Sequence, residues 1–538
     1  MTRRGADLVV DALVAAGVRT LFSLSGNQIL AIYDATLGRG VEIVHTRHEA
    51  AAVHMADAWG RLTERPGVAL VTAGPGHLNA VSALYGASMA ESPVVLLSGA
   101  SPRAQAGRGA FQEIDQVGAA RPVTKAAWAA SEAARLGEDV ARALEIARRG
   151  RPGPVHVSLP GDLLEARVDD AASAAGAAAG APDAAPPGEA AIAGALALLA
   201  DAERPLILLG PAMARPLRRA AVERFSRLTG VPALPMESPR GTNDPWLHGA
   251  ATRLADADLV LLCGKKLDFA LRFGEPPAFQ AGCRFVQVDA DPGALRPGGR
   301  VALALAGEPA AMMDRLAEAA RGRPWRHAAW GEAIAAARTT RPAEWDALSA
   351  STRRPIHPLR VCAAIQPLLA GGGVLVADGG EFGQWIQAGL EAETRLINGL
   401  SGSIGSALPM ACAARLALPG RRVIAALGDG TFGFHALELD TAVRYGLPFV
   451  SVVGNDARWN AEHQLQVRHY GAARTVGCEL APSRYDLVAA ALGGHGELVE
   501  RPEDLEPALA RALASGRPAC VNVAIDGVAA PTYTNGGH

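Results

Sequence analysis

Short apolar runs that stop at a glycine or an acidic residue recur along this chain, separated by stretches with helical spacing. "GVALVTAGPG", "PVVLLSGAS", "RPLILLG", "ADLVLLCG", "CRFVQVDAD", "GGGVLVADGG", "RRVIAALGDG", "LPFVSVVGND" and "PACVNVAIDG" all have this form. Runs this short and this apolar are strands buried on both faces, which requires helices on each side of a parallel sheet. Strand and helix in alternation give open α/β layers, whose ligand edge lies at the carboxyl ends of the strands. The glycines and acidic residues fall at that end.

A chain of 538 residues exceeds what one hydrophobic core usually serves. The segment Val168–Glu189 is Ala, Gly, Pro and Asp with almost no large apolar residue, and it reads as a linker. A second break falls at "STRRPIHPLR", Ser351–Arg360. The reading is three doubly wound parallel-sheet α/β domains, residues 1–167, 190–345 and 346–538, with 168–189 between the first two. The first and third blocks share a rhythm of strand, Gly-rich or polar turn and helix. That rhythm points to a structural duplication without a residue-level repeat.

Hydrophobic residues make up 49% and charged residues 20%, a globular balance. The formal net charge is −2 with no long basic run, so neither nucleic acid nor an anionic membrane is an expected partner. Six scattered cysteines without a CxxC pair argue against a disulfide framework or a structural zinc site, and suit a reducing cytoplasm. No run is long and apolar enough to span a bilayer. Asp7 and Asp11 give the apolar N-terminus the spacing of an amphipathic helix rather than a leader.

The segment Gly428–Asp456 carries an acidic residue at each end. Its two apolar runs flank a crossover helix, "FHALELDTAVRYG", stopped at Gly446. If the runs are neighbouring strands, a right-handed crossover puts Asp429 and Asp456 on one sheet edge about 5 Å apart. Two hard oxygen ligands suit Mg²⁺, which usually keeps a phosphate in its shell. Gly428 and Gly430 allow backbone amides to approach an anion. By itself GDG is more often a tight turn. Its pairing with Asn455-Asp456, 24 residues after Gly430, favours the metal–diphosphate reading.

This spacing resembles thiamine diphosphate enzymes of the family that includes acetolactate synthase, benzaldehyde lyase, oxalyl-CoA decarboxylase and 2-hydroxyacyl-CoA lyase. The resemblance covers nearly the whole chain. It implies pyrimidine-binding, central and diphosphate-binding domains, with thiamine diphosphate and Mg²⁺ as cofactors. It also implies a homodimer or homotetramer with active sites shared between subunits. Asp429 matches the first metal ligand and Asp456 the second, where relatives usually carry Asn. The third ligand is a main-chain carbonyl, here that of Arg458. Glu49, in "HTRHEAAAVHMADAWGR", matches the glutamate that hydrogen-bonds the aminopyrimidine ring, where a carboxyl group shares its proton with the ring. "TAGPGHLN" contributes Pro75 and Asn79 to the cofactor, and "ADGGEFGQW" contributes Gly380, Glu381 and Phe382 to the diphosphate. "GLSGSIG" supplies Gly402, and Ile404 as the apolar prop beneath the bent cofactor. Gln112 in "FQEIDQVG", with Asn27 and Gln28 in "LFSLSGNQI", matches groups that face substrate. His77 reads more readily as a core histidine.

Within the family, the run after the metal pair is "ARWNAEHQLQVRHYG" rather than that of true acetolactate synthases, and no His-His pair follows the GPG segment. "KKLDFALRFG" replaces the flavin-binding run, so a tightly bound FAD is not expected. Lys265, Lys266 and Arg272 read equally as phosphate contacts or as solvated charges, which leaves CoA or ADP in the central domain open. The expected activity is a lyase or carboligase acting on small 2-oxo acids, acetolactate synthase-like. The alternatives are a 2-hydroxyacyl-CoA lyase or oxalyl-CoA decarboxylase-like enzyme releasing formyl-CoA, and a catalytically silent binding subunit. The tail "DGVAAPTYTNGGH" is expected to fray unless it serves as a lid.

Overall fold

The computed structural model describes residues 2–169 and 187–533. Most of the expected linker, residues 170–186, lies outside the described residues. The apolar runs form three parallel sheets. The first holds β2 (Thr20–Ser23), β3 (Glu42–His45), β4 (Gly67–Val71), β5 (Val94–Ala100), β6 (Ala126–Ala129) and β7 (Val155–Pro160), ordered β3-β2-β4-β5-β7-β6. A ribbon of β1 (Thr2–Arg4) and β8 (Arg167–Asp169) closes its ends antiparallel. The central sheet holds β9 (Pro205–Leu209), β10 (Ala233–Pro235), β11 (Leu259–Cys263), β12 (Arg284–Asp289) and β13 (Val301–Ala306), ordered β10-β9-β11-β12-β13. The third holds β14 (Val374–Ala377), β15 (Thr394–Ile397), β16 (Val423–Gly428), β17 (Val450–Asn455), β18 (His495–Val499) and β19 (Ala519–Ala524), ordered β15-β14-β16-β17-β19-β18.

Counted within each sheet, the first and third have the same strand order, so the shared rhythm is a duplicated fold. Among the strands absent from the sequence reading, β6, β10, β13, β15 and β18 are sheet edges, whereas β2 and β7 lie inside the first sheet. Edge strands are short and covered on fewer sides, so they lack the apolar run that marks a central strand. A second correction concerns the crossover after β16. It is two short helices, Asp429–His435 and Glu438–Arg444, rather than one helix beginning at Phe434. The break is held by buried Glu438, which accepts from the Arg47 amide at 3.0 Å and from Thr441 at 2.7 Å.

The first and third domains share one apolar core. The helix Glu49–Thr63 packs on the helix Ala407–Ala417, and Val53, Met55, Met410, Ala411 and Cys412 lie in a single buried cluster. Each large apolar side chain buried there contributes about 1.5–3 kcal/mol. The central domain is tied to the first by polar contacts. The Arg215 guanidinium donates to the Ala90 and Glu91 carbonyls at 2.7 Å each, and the Ala212 amide donates to Glu91 at 3.0 Å.

Candidate active site

All candidate residues lie just beyond the carboxyl ends of strands in the duplicated sheets. In the third domain β16 and β17 are parallel neighbours, with Gly428 opposite Gly454. Asp429 follows β16 as the first residue of a helix, and Asp456 follows β17. Asp429 accepts the Gly430 amide at 2.9 Å and the Arg458 amide at 3.1 Å, which brings the Arg458 peptide beside the pair. The loop after Asp456 is pinned from behind, with the Trp459 amide on the Cys478 carbonyl and the Leu480 amide on the Ala457 carbonyl, each at 2.7 Å. A Cβ on Gly430 would lie 2.6 Å from the Trp459 ring, so only glycine lets that ring close over the turn.

Burial raises the Asp429 carboxyl to about 6. Burial and the charge of Asp429 raise Asp456 to about 7. A buried carboxylate beside a half-buried one whose ionisation it opposes forms a donor set that a divalent cation relieves. Among the described residues no group of three or more His, Cys, Asp or Glu side chains could hold a metal, so further oxygen ligands must come from the main chain or from a ligand. Gly380 opens the next helix at φ +90°, with open space where a Cβ would stand. The residues present therefore fit a metal-bound diphosphate.

Asp378 is a residue that sequence reasoning missed. It is fully buried at the end of β14, and burial pushes its carboxyl up to about 6. It accepts from the amides of Gly379 (2.8 Å), Gly405 (3.0 Å) and Ala407 (3.0 Å). One side chain thus clamps the Gly380 turn to the loop carrying Gly402 and Ile404. The only sequence signal was an acidic residue at a strand end, "VADGG". Asp378→Ala would orphan buried amides and is expected to cost about 3 kcal/mol or more, with Asp378→Asn costing less, read by denaturant unfolding. Phe382 needs correction. It sits in the core with its ring against Gly454, rather than lining the phosphate turn. Glu381 accepts the Ala530 amide at 2.5 Å, and Trp385 donates to the Val528 carbonyl at 3.1 Å. The tail is therefore docked as far as Tyr533, whose hydroxyl lies 3.0 Å from His248, and does not fray there.

In the first domain Glu49 opens its helix, buried, with Asn79 donating to Oε2 at 3.0 Å. Pro75 starts the helix that carries Asn79. Gln28 donates to Gln112 at 2.9 Å and accepts from the Thr72 hydroxyl. Gln112 holds a positive φ of 61°, a conformation a non-glycine residue adopts only when its surroundings impose it. Asn27, Gln28 and Phe111 line a cavity of about 420 Å³. Gln112→Ala is expected to lower kcat/KM ten- to a hundredfold while cofactor affinity stays unchanged, since it touches only this half. His77 turns into the core, 2.8 Å from the Ser98 hydroxyl and against His156. Among the described residues no hydrogen bond joins Glu49 to Asp429 or Asp456.

The central domain gives one of its cationic candidates, Lys265, other work. Lys265 is buried and paired with Asp268 at 2.7 Å. The crevice at the ends of β11 and β12 is filled by Arg151, which bridges Glu91 and Asp289 and leaves a cavity of about 10 Å³. That space is too small for a nucleotide phosphate.

The fold and these two half-sites define a class, and the chain belongs to the thiamine pyrophosphate enzymes. Residues 3–119 match the N-terminal TPP binding domain of that family, 192–316 its central domain and 378–523 its C-terminal TPP binding domain. The chain is 36% identical to a probable acetolactate synthase of Mycobacterium bovis, over 99% of this chain and 98% of the relative. It is 31% identical to a 2-hydroxyacyl-CoA lyase of Oryza sativa subsp. japonica, over 97% and 95%. It is 29% identical to the oxalyl-CoA decarboxylase of Escherichia coli, over 99% and 96%. It is a thiamine pyrophosphate-dependent enzyme of the carboligase and lyase type. Among the described residues no helix is long and apolar enough to cross a membrane.

Proposed function

We propose that this enzyme makes or breaks a C–C bond next to the carbonyl of small 2-oxo acids. In this reading Asp429, Asp456 and the main-chain carbonyl of Arg458 hold Mg²⁺ against the cofactor diphosphate. The observation that carries it is the pair of carboxylates on adjacent parallel strand ends, both raised by burial and Asp456 also by the charge of Asp429. Bound thiamine diphosphate supplies carbanion stabilisation at the substrate carbonyl carbon. Glu49, fixed through Oε2 by Asn79, keeps Oε1 to hold and return a proton at the cofactor ring. Gln28 and Gln112 orient a small polar acyl group, and Asn27 lies at the same cavity. Ile404 lies against Gly379, where it would support the cofactor from below.

In this reading the enzyme is a homodimer or homotetramer in which each site takes one half from each chain. Six cysteines, all buried and unpaired, suit a reducing cytoplasm. The second reading, a 2-hydroxyacyl-CoA lyase, draws on relatives with that name. It is weakened by the commitment of Lys265 to Asp268, which removes one candidate for a CoA phosphate.

The test is product identification by mass spectrometry, with cofactor and Mg²⁺ added to the purified enzyme. Acetolactate or acetaldehyde from pyruvate supports the 2-oxo acid reading. Formyl-CoA from a short 2-hydroxyacyl-CoA, with pyruvate inert, replaces it by the lyase.

A further inference from the structure

β10 ends at Pro235, and the loop after it leaves the carboxyl end of the central sheet, where ligands of α/β domains bind. This loop reaches the third domain. Pro239 lies 3.8 Å from where a Cβ on Gly402 would stand, beside the segment that carries Ile404. The Arg240 guanidinium donates to the Gln384 side chain, one turn beyond Glu381 on the helix Gly380–Gly389. Gln384 donates in turn to Glu381 Oε2 at 3.2 Å. A cation of the central domain therefore meets both loops that Asp378 clamps together, the Gly380 turn and the Gly402–Ile404 segment.

The loop is built to hold that position. The Arg240 amide donates to the Ser238 hydroxyl at 3.2 Å, and the Gly241 amide to the Ser238 carbonyl at 3.0 Å. Gly241 has φ +54°, and a Cβ there would overlap the Ala270 carbonyl, so only glycine closes the turn. Glu237, at the base of the loop, is paired with Arg395 at 2.7 Å. Gln384 stands between Arg240 and Glu381, and Glu381 Oε1 accepts the Ala530 amide. Arg240 is half-buried, and burial opposes its charge. So does Arg468, on the helix Asn460–Tyr470 after the metal loop, while Glu381 and Asp244 favour the charge. A charge-assisted hydrogen bond made at such a partly desolvated place is stronger than one in open water. The place is also apart from the metal end. Asp429 and Asp456 follow β16 and β17, whereas Arg240 meets the helix after β14 and lies beside Gly402, two residues before the apolar prop Ile404.

We propose that Arg240 recognises the carboxylate of the substrate, an inference that rests on the 2-oxo acid reading above. Gln384 aims the guanidinium, and the carboxylate of a small 2-oxo acid accepts from it while the carbonyl carbon lies over the cofactor.

Isothermal titration of the full-length enzyme, loaded with thiamine diphosphate and Mg²⁺, with oxamate tests this, oxamate being an unreactive carboxylate isostere of pyruvate. Saturable binding of one oxamate per chain is expected. Arg240→Met should weaken it about tenfold or more, the loss of a charge-assisted hydrogen bond, and Arg240→Lys should keep part of the affinity. Thiamine diphosphate should bind both variants within about twofold of wild type, which also shows that they fold. Oxamate affinity unchanged in Arg240→Met overturns the proposal and leaves the 2-oxo acid reading standing. A parallel loss of thiamine diphosphate affinity overturns it by assigning Arg240 to the cofactor. Absence of oxamate binding to wild type overturns it as well, and turnover of pyruvate by the same sample then decides whether the 2-oxo acid reading falls with it.

Discussion

Asp429→Ala is expected to abolish retention of thiamine diphosphate in the presence of Mg²⁺ and to lower kcat/KM by about a thousandfold or more. Three losses add at this position. A metal ligand disappears, the charge that opposes a divalent cation is halved, and the Gly430 and Arg458 amides lose their acceptor. Asp456→Asn should behave differently. It installs the residue usual in the family, keeps an oxygen ligand, and removes the mutual repulsion of the pair, so activity should stay within about tenfold. Equilibrium dialysis of the cofactor with and without Mg²⁺, alongside steady-state kinetics, reads both variants. Full cofactor retention by Asp429→Ala would remove the metal site from this edge.

Glu49→Gln is expected to lower kcat by about a hundred- to ten-thousandfold while the cofactor remains bound, because a proton-holding group is lost and no metal ligand is. The split between unchanged binding and lost turnover separates it from Asp429→Ala. The two variants also test how the halves combine. If each site draws Glu49 from one chain and Asp429 from another, a mixture of the inactive variants forms hybrid dimers with one intact site. Activity should then return to roughly a quarter of wild type. Two inactive parents that stay inactive when mixed and re-associated would place both halves within one chain.

The alternation of apolar runs and helices sufficed for the α/β class, the three layers and the parallel sheets, because a strand buried on both faces has to be apolar along its length. It also sufficed for the acidic pair. Asp429 and Asp456 are separated by one crossover unit, and the right-handed rule leaves them one common edge. Glu49, Asn79, Gln28 and Gln112 were legible as residues but not as contacts, since sequence spacing says nothing of which strand ends converge.

The edge strands β6, β10, β13, β15 and β18 escaped notice because they lack an apolar run, and the interior strands β2 and β7 escaped as short runs broken by Ser23 and by His156 and Ser158. The split crossover escaped because Glu438 draws its partner from Arg47, a residue of another domain. Asp378 was legible only as an acidic residue at a strand end; its task of holding two loops appears when β14 and the start of the helix Ala407–Ala417 lie together. The fate of Arg151 was decided the same way, by Glu91 and Asp289, both distant in sequence. Sequence by itself determined the periodic elements and their order, because burial imposes a pattern on each segment separately. Tertiary structure alone decided which charges are spent and which are free, because an ion pair is a property of two segments and leaves no periodic mark on either.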